Sequence, residues 1–123
     1  MWIYHQSTGE LWKADAAPKT FVLQGTGYAG HEDGRNNPEK EGERNVGPIP
    51  KGLYRIGAAY HSDRCGPITI PLDPVNHDCL GRTDMRMHGN NRTNDASNGC
   101  IIQGPEVRKR VAQDEGQYLV VVD

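Results

Sequence analysis

The sequence predicts a mostly β fold, of the β-rich α+β class, with one short helix close to the C-terminus. Of its 123 residues, 35% are hydrophobic, which is enough for one compact core and predicts a single domain spanning residues 1–123. Fifteen glycines and eight prolines favour turns between many short strands over a helical bundle. Several short runs also alternate apolar and polar residues, which is the period of a half-buried strand.

Three strands are predicted at the N-terminus. Residues 2–6 (WIYHQ) and 11–14 (LWKA) are rich in β-prone side chains, and the turn residues 7–10 (STGE) between them predict a hairpin. Residues 20–24 (TFVLQ) form the third expected strand. The Gly-Thr-Gly sequence that follows ends it.

A long irregular segment is expected from about residue 25 to residue 52. Its centre is GRNNP at residues 34–38, and it closes with VGPIPKG at residues 46–52. A loop of this length in a compact domain is usually functional or disordered, and the spaced glycines and prolines at its end favour a fixed path. A strand follows at residues 53–57 (LYRIG), whose tyrosine is assigned to the core.

The next part of the chain places a histidine and a cysteine at the ends of two predicted strands. Residues 65–81 are turn-rich and contain a short expected strand at residues 68–70. Residues 85–88 (MRMH) alternate, so a strand should end at its histidine. Residues 90–99 are small and polar and predict a loop, after which Cys100 opens a second apolar segment.

The C-terminal part predicts one helix and one strand. Residues 105–113 predict the helix, because Pro105 suits its first turn and Val107 and Val111 lie on one face. Residues 118–122 (YLVVV) are apolar throughout and predict a central strand of a sheet.

His88 and Cys100 are the strongest catalytic pair that the sequence offers. A thiol of ordinary pKa is mostly protonated at neutral pH, and a neighbouring imidazole can take its proton to give a nucleophilic thiolate. The two residues are twelve apart and cannot meet on one strand. They can meet if His88 ends one strand, the polar loop turns, and Cys100 opens the next segment.

The residues before Cys100 are expected to form an oxyanion-binding turn. Gly99 has no side chain, so a substrate carbonyl can approach the backbone amides of Asn98, Gly99 and Cys100. Ser97 is expected to orient this turn through a bond between its hydroxyl and the backbone. The group that orients the histidine stays open among a backbone carbonyl, Asp84 and Asp95.

A purely structural interpretation competes with catalysis. A lone cysteine before two isoleucines is most often a small buried hydrophobic residue, and a lone histidine is most often a satisfied polar one.

Composition argues against several partners. The formal net charge is −2, which gives no basic field for nucleic acid, and the basic run at residues 108–110 is interpreted as a solvated helix face. No apolar stretch is long enough to cross a membrane. The N-terminal residues do not have the pattern of a Sec signal, so the protein is expected to work in the cytoplasm, to be exported by a machine that reads another signal, or to have had a signal removed. Delivery by a secretion machine or by phage is favoured over ordinary export.

The three cysteines permit one disulfide. Cys65 and Cys79 lie in one segment rich in turns, and a bridge between them would leave Cys100 as a free thiol. In an oxidising compartment such a bridge would stabilise the region by about 3 kcal/mol, whereas in a reducing compartment both thiols stay free. Both alternatives remain open.

Metal and cofactor sites are not predicted. The set His61, Cys65, His77 and Cys79 has irregular spacing that matches no common zinc pattern. No glycine-rich loop leads into a Lys-Ser or Lys-Thr pair, so the sequence does not predict nucleotide binding.

Several motifs together resemble the L,D-transpeptidase effector domain of type VI secretion systems, within the YkuD-like L,D-transpeptidase superfamily. The SNGCI sequence at residues 97–101 resembles the Ser-x-Gly-Cys signature of those enzymes, and His88-Gly89 resembles their upstream His-Gly pair. The resemblance covers nearly the whole chain. The matching segments are GRNNP at residues 34–38, VGPIPKGLY at 46–54, MRMHG at 85–89, ASNGCII at 96–102, and the N-terminal hairpin.

The resemblance implies a YkuD-like β-sandwich or sheet and a peptidoglycan enzyme. Cys100 would attack the bond between the diamino acid and the terminal D-alanine of a tetrapeptide stem, with His88 as base and then acid. Gly89, Ser97, Asn98 and Gly99 would orient the pair or bind the oxyanion. It also implies action in the periplasm of a target cell and an immunity protein as a partner, beside the peptidoglycan stem peptides.

The substrate-binding residues and the detailed reaction remain expectations. Arg35, Asn36 and Asn37 in the long loop, and Arg86 on the strand of His88, are candidates to bind a stem carboxylate. Many L,D-transpeptidases have a histidine where this chain has Asn98, which favours trimming or D-amino-acid exchange over cross-linking. The alternatives are another cysteine wall hydrolase, such as a phage-type endopeptidase or amidase, and a non-catalytic wall-binding module.

Overall fold

The protein is a ten-stranded mixed β structure with one α-helix, over the part of the chain that the structure describes. This computed structural model describes residues 1–14 and 20–123; the predicted single domain also includes residues 15–19, which lie outside the described ranges. The strands are β1 (Trp2–His5), β2 (Glu10–Ala14), β3 (Phe21–Thr26), β4 (Tyr28–Ala29), β5 (Gly52–Ile56), β6 (Tyr60–Ser62), β7 (Gly66–Pro74), β8 (Arg86–His88), β9 (Ile101–Ile102) and β10 (Tyr118–Val122). The helix α1 is Pro105–Ala112, and short 3₁₀ helices lie at Glu32–Gly34, Pro38–Lys40 and Cys79–Gly81.

The strands follow one continuous order, β3-β2-β1-β10-β5-β7-β8-β9-β4, and β6 pairs with β7. The β1–β10 and β8–β9 pairs are parallel, and the other pairs are antiparallel. The mostly β class with a single helix is confirmed. So are the N-terminal hairpin and the central position of β10, which lies between β1 and β5.

The long strand β7 differs from its prediction. The sequence predicts only residues 68–70 within a turn-rich segment, but the strand runs over nine residues from Gly66 to Pro74. Pro71 lacks an amide hydrogen yet still accepts a hydrogen bond from the Gly57 amide at 2.9 Å, so the strand continues through it. One part of β7 pairs with β5 and another with β8, and this joins the N-terminal strands to those carrying His88 and Cys100.

The core lies between the sheet strands, α1 and the loop after residue 45. Its largest fully buried side chains are Trp2, Tyr4, Tyr54, Leu11, Ile49, Ile56, Ile70, Leu72, Met87, Ile101 and Leu119. Tyr54 is therefore a core residue, as the sequence predicts. Its hydroxyl donates to the Pro50 carbonyl at 2.7 Å, which fixes the end of the long loop against β5.

Helix α1 begins at Pro105 and packs against β7. Val107 and Val111 face the core, as the spacing predicts. The prediction of a solvated basic face is wrong at Arg108, which is 7% exposed and donates hydrogen bonds to the carbonyls of Gln103, Pro67 and Ile68. Within the described ranges, α1 and the shorter helices lack the length and apolarity needed to cross a bilayer.

Candidate active site

The parallel pair β8–β9 brings His88 and Cys100 to one face of the sheet. Met87 pairs with Ile101 and His88 with Ile102, and both Met87 and Ile101 point into the core. Side chains alternate along a strand, so Cys100, one residue before Ile101, points to the same face as His88. Both line a cleft of about 270 Å³.

His88 is held by the backbone of its own neighbour. Its side chain is buried, and its Nδ1 lies 3.0 Å from the Gly89 carbonyl oxygen. A carbonyl only accepts, so Nδ1 carries the proton and Nε2 is the nitrogen with a free lone pair. The sequence left open whether a backbone carbonyl, Asp84 or Asp95 orients His88. In the structure the imidazole bonds to a backbone carbonyl, that of Gly89.

Burial keeps the imidazole neutral. Burial lowers the pKa of His88 below its ordinary value of 6.5. The hydrogen bond to the Gly89 carbonyl favours the charged form and raises the pKa, but this effect is smaller than that of burial. The positive charges of Arg86, Arg108 and Arg64 lower the pKa further. At neutral pH, His88 is therefore a base that has not yet taken a proton.

Burial also keeps the thiol neutral. It raises the pKa of Cys100 above its ordinary value of 9.0, although a hydrogen bond from the Arg86 backbone amide favours the thiolate. The sulfur lies 3.6 Å from the Asp84 carbonyl oxygen. Among the residues that the structure describes, no hydrogen bond joins His88 to Cys100, so the resting pair is a thiol beside an imidazole and not an ion pair.

The neutral pair predicts a specific pH dependence. The form able to react has His88 unprotonated, so the kcat/KM of any reaction that uses His88 as the base for Cys100 should fall as the pH falls through a pKa below 6.5. Alkylation of Cys100 by iodoacetamide should be slow at pH 7 and should increase as the pH rises through a value above 9.0. Mass spectrometry of the Cys100 peptide measures that rate, and fast alkylation already at pH 6 would indicate a thiolate–imidazolium pair instead.

Ser97 organises the turn in front of Cys100. Its hydroxyl is fully buried, donates to the Cys100 carbonyl at 2.6 Å and accepts from the amides of Gly99 at 3.0 Å and Gly30 at 2.9 Å. The Ser97 hydroxyl therefore uses its single donor hydrogen and both of its acceptor lone pairs. The Gly99 amide is committed to Ser97, which leaves the amides of Asn98 and Cys100 as the proposed oxyanion donors.

The Ser97→Ala variant should lose about 1–3 kcal/mol of unfolding free energy, because it leaves buried amides and a carbonyl without a partner. Urea denaturation measures this loss. Thr93→Ala removes an exposed hydroxyl of the neighbouring loop and serves as the control, with a change within about 0.5 kcal/mol. Equal stability of the two variants would contradict the role assigned to Ser97.

Arg82 is the main residue of the site that the sequence did not reveal. It lies in the turn-rich segment before β8, is 5% exposed, and lines the cleft of Cys100. Its guanidinium donates to the carbonyls of Glu41 at 2.7 Å, Pro48 at 2.8 Å, Gly47 at 3.0 Å and Asn98 at 3.0 Å. It therefore ties the long loop to the turn that precedes Cys100.

Gly99 is required by this packing. Its φ is +140°, a backbone conformation that side chains disfavour, and a Cβ here would overlap the Arg82 guanidinium. The same Cβ would lie 3.2 Å from the Gly47 carbonyl oxygen. Glycine thus allows the Cys100 turn to sit directly on the buried arginine.

The residues expected to bind substrate fall into two places. Arg86 lines the cleft with Cys100, together with Asn98 of the expected oxyanion-binding turn. Arg35 instead stacks on the Tyr28 ring at 3.6 Å from its centroid and donates to the Asn94 carbonyl at 2.7 Å. It lines a separate cleft of about 520 Å³, which Gly89 also borders.

Asn36 and Asn37 hold the long loop together. Asn36 has a φ of +53°, and its side-chain oxygen accepts from the Ala29 amide at 3.2 Å. The Asn37 side chain caps the following 3₁₀ helix by accepting from the Glu39 amide, and donates to the Asp33 carbonyl. Neither residue lines the Cys100 cleft, and their role in substrate binding stays a prediction.

All three cysteines are free thiols. Cys79 is buried, with its sulfur 3.2 Å from the Tyr54 hydroxyl, whereas Cys65 lines the cleft together with Cys100. The disulfide between Cys65 and Cys79 is therefore not formed in the structure. His77 accepts from the Cys79 amide and contacts the Leu53 carbonyl through its other nitrogen, and residues 1–14 and 20–123 contain no cluster of three metal-ligating side chains.

A comparison with protein families matches most of the chain to one family. The family model of the Tlde1 domain matches residues 24–122, about four fifths of the chain, and this range contains His88, Cys100, Ser97 and Arg82. The chain belongs to the Tlde1 domain family. Tlde1 domains are type VI secretion effector domains, so the type VI part of the resemblance is confirmed. Searches of curated proteins and of solved structures gave no match.

The Tlde1 domain assignment also bears on delivery. It is consistent with secretion by a route other than Sec and with action in a target cell. It is likewise consistent with a cell-wall substrate and an immunity partner. The Tlde1 match includes every residue that lines the Cys100 cleft.

Proposed function

We propose that this Tlde1 domain is a cysteine peptidoglycan enzyme that acts on tetrapeptide stems as an L,D-carboxypeptidase, a D-amino-acid exchange L,D-transpeptidase, or both. The observation that carries the proposal is the position of His88 and Cys100 on one face of the β8–β9 pair, in one cleft. As a type VI effector it would act as an antibacterial toxin in the periplasm of the target cell, and the producing cell would need an immunity protein.

The first half of the proposed reaction forms an acyl-enzyme. As Cys100 Sγ attacks the carbonyl carbon of the diamino acid, its proton passes to His88 Nε2. The amides of Asn98 and Cys100 are the proposed donors to the oxyanion. The carbon–nitrogen bond then breaks, His88 returns its proton to the leaving D-alanine amine, and a thioester remains on Cys100.

The second half resolves the thioester. His88 takes a proton from water or from the amine of a free D-amino acid, which attacks the thioester carbonyl, and the thiolate of Cys100 leaves and recovers the proton. Water gives a tripeptide stem, and a D-amino acid gives an exchanged tetrapeptide. Both products remove the D-alanine-ended donor that a neighbouring stem needs for cross-linking. Asn98 lacks a group that titrates near neutral pH, and we therefore place trimming and exchange ahead of cross-linking.

Product analysis tests this proposal against the two alternatives. The protein is incubated with disaccharide tetrapeptide, with and without a free D-amino acid, and the products are identified by mass spectrometry. Release or exchange of the terminal D-alanine supports the proposal. Cleavage of a sugar–peptide or D,D bond would indicate a different wall hydrolase, and retained binding to sacculi without any product would indicate a wall-binding module.

A further inference from the structure

The cleft of Cys100 is positively charged, although the chain as a whole is not. The formal net charge of the protein is −2. The cleft is lined by four arginines, Arg44, Arg64, Arg82 and Arg86, and by one acidic residue, Asp84. A concave site with this excess of guanidinium groups attracts and binds anions.

The four arginines are not equally available to a ligand. Arg82 is buried and already donates to four carbonyls, and Arg44 donates to the Gly81 carbonyl at 3.3 Å. Arg86 lies 3.9 Å from the Asp84 carboxylate, whose side chain is 78% exposed, so this ion pair is weak. Within residues 1–14 and 20–123, the Arg64 guanidinium has no hydrogen bond or ion pair.

The two available guanidinium groups share the cleft with His88. Arg86 lies two residues before His88 on β8, so both side chains point to the same face. Arg64 lies in the turn between β6 and β7, where the Ser62 hydroxyl accepts from the amides of Arg64 at 3.3 Å and Cys65 at 3.0 Å. Both arginines are close enough to His88 for their charges to lower its pKa.

The chemistry of the stem peptide indicates which anion belongs there. In the proposed reaction, which this inference rests on, His88 protonates the amine of the leaving D-amino acid. The α-carboxylate of that residue is separated from the amine by a single carbon, so it must lie beside His88. A guanidinium binds a carboxylate through charge-assisted hydrogen bonds, often two in parallel.

We propose that Arg64 and Arg86 bind the C-terminal α-carboxylate of the stem peptide. The enzyme thereby requires a free carboxyl terminus on the residue that it removes. It acts as a carboxypeptidase and exchange enzyme and does not cleave the bond between the diamino acid and D-alanine in a stem whose D-alanine carboxyl is already joined to a neighbouring stem.

A matched pair of substrates tests this requirement. One is the tetrapeptide stem with a free terminal acid, and the other is the same stem with a terminal carboxamide. The wild-type protein should cleave the acid with a kcat/KM about 10- to 100-fold above that of the amide. Arg64→Gln and Arg86→Gln should each lower the ratio of kcat/KM for the acid to kcat/KM for the amide toward one.

The acid-to-amide ratio is measured on one protein sample, so partial misfolding of a variant cancels. Arg55→Gln, which changes an exposed arginine on β5 outside the cleft, should keep the wild-type ratio. Equal cleavage of acid and amide by the wild type would overturn this inference and leave the proposed function standing. An acid-to-amide ratio that stays unchanged in both the Arg64 and the Arg86 variant would also overturn this inference. The same holds if the rate of cleavage falls only when the side-chain carboxylate of the diamino acid is amidated. Failure of the wild type to process either substrate would contradict the proposed function itself.

Discussion

The Cys100→Ala variant should lose at least about a thousandfold of the rate of D-alanine release, because it removes the thiol that shares a face of the β8–β9 pair with His88. The protein should stay folded, since Cys100 is only half-buried and alanine fits the same backbone. Release of D-alanine from disaccharide tetrapeptide, followed by mass spectrometry, measures the loss.

Cys65→Ala is the matched control for this experiment. Cys65 lines the same cleft, is half-buried like Cys100 and is also a free thiol. It lies in the turn before β7 and not on the β8–β9 pair with His88, so its removal should leave most of the activity. Loss of activity in the Cys65 variant together with survival in the Cys100 variant would reverse the assignment of the nucleophile.

Replacing Arg82 by methionine should cost about 3 kcal/mol or more of unfolding free energy. The guanidinium satisfies four backbone carbonyls, and a side chain without donors leaves them buried and unpaired. A domain of this size has a total stability of about 5–15 kcal/mol, so the change should be visible as a large decrease of the urea midpoint.

The same variant should reduce activity beyond what its stability explains. Arg82 holds the Asn98 carbonyl and packs against Gly99, so its loss should displace the turn that positions Cys100. Measurements at a temperature where the variant is fully folded separate the two effects. Arg82→Lys keeps the charge without the planar fork of donors and should be intermediate in stability.

Arg44→Met is the control for the arginine experiment. Arg44 is exposed, lines the same cleft and makes one carbonyl contact at 3.3 Å, so its replacement should change stability by less than about 0.5 kcal/mol. Equal stability of the Arg82 and Arg44 variants would show that the buried arginine does not hold the two loops together.

The local features of the site could be predicted from the sequence because neighbouring residues encode them. The alternation in residues 85–88 placed His88 at a strand end, and the polar loop before Cys100 allowed the return of the chain. The structure has both features, with β8 ending at His88 and β9 beginning directly after Cys100. What the sequence could not specify was the parallel register, which depends on the pairing of Met87 with Ile101.

The supporting residues could not be predicted because their partners are distant in the chain. Arg82 binds carbonyls up to 41 residues away, and nothing in its turn-rich neighbourhood signals that it is buried. Arg64 becomes part of the cleft only because the β6–β7 hairpin brings its turn to β8. Conversely, Asn36 and Asn37 have a polar pattern that fits substrate binding, yet their side chains bond to the loop itself.

The central claim is that Cys100 carries the acyl group of a stem peptide, and the mass of the trapped intermediate tests it most directly. The protein is mixed with disaccharide tetrapeptide, quenched in acid, digested and analysed by mass spectrometry. The account predicts a disaccharide-tripeptide thioester on the Cys100 peptide in the wild type and in Cys65→Ala, and none in Cys100→Ala. An adduct on another residue, or release of D-alanine by Cys100→Ala at the wild-type rate, would contradict it.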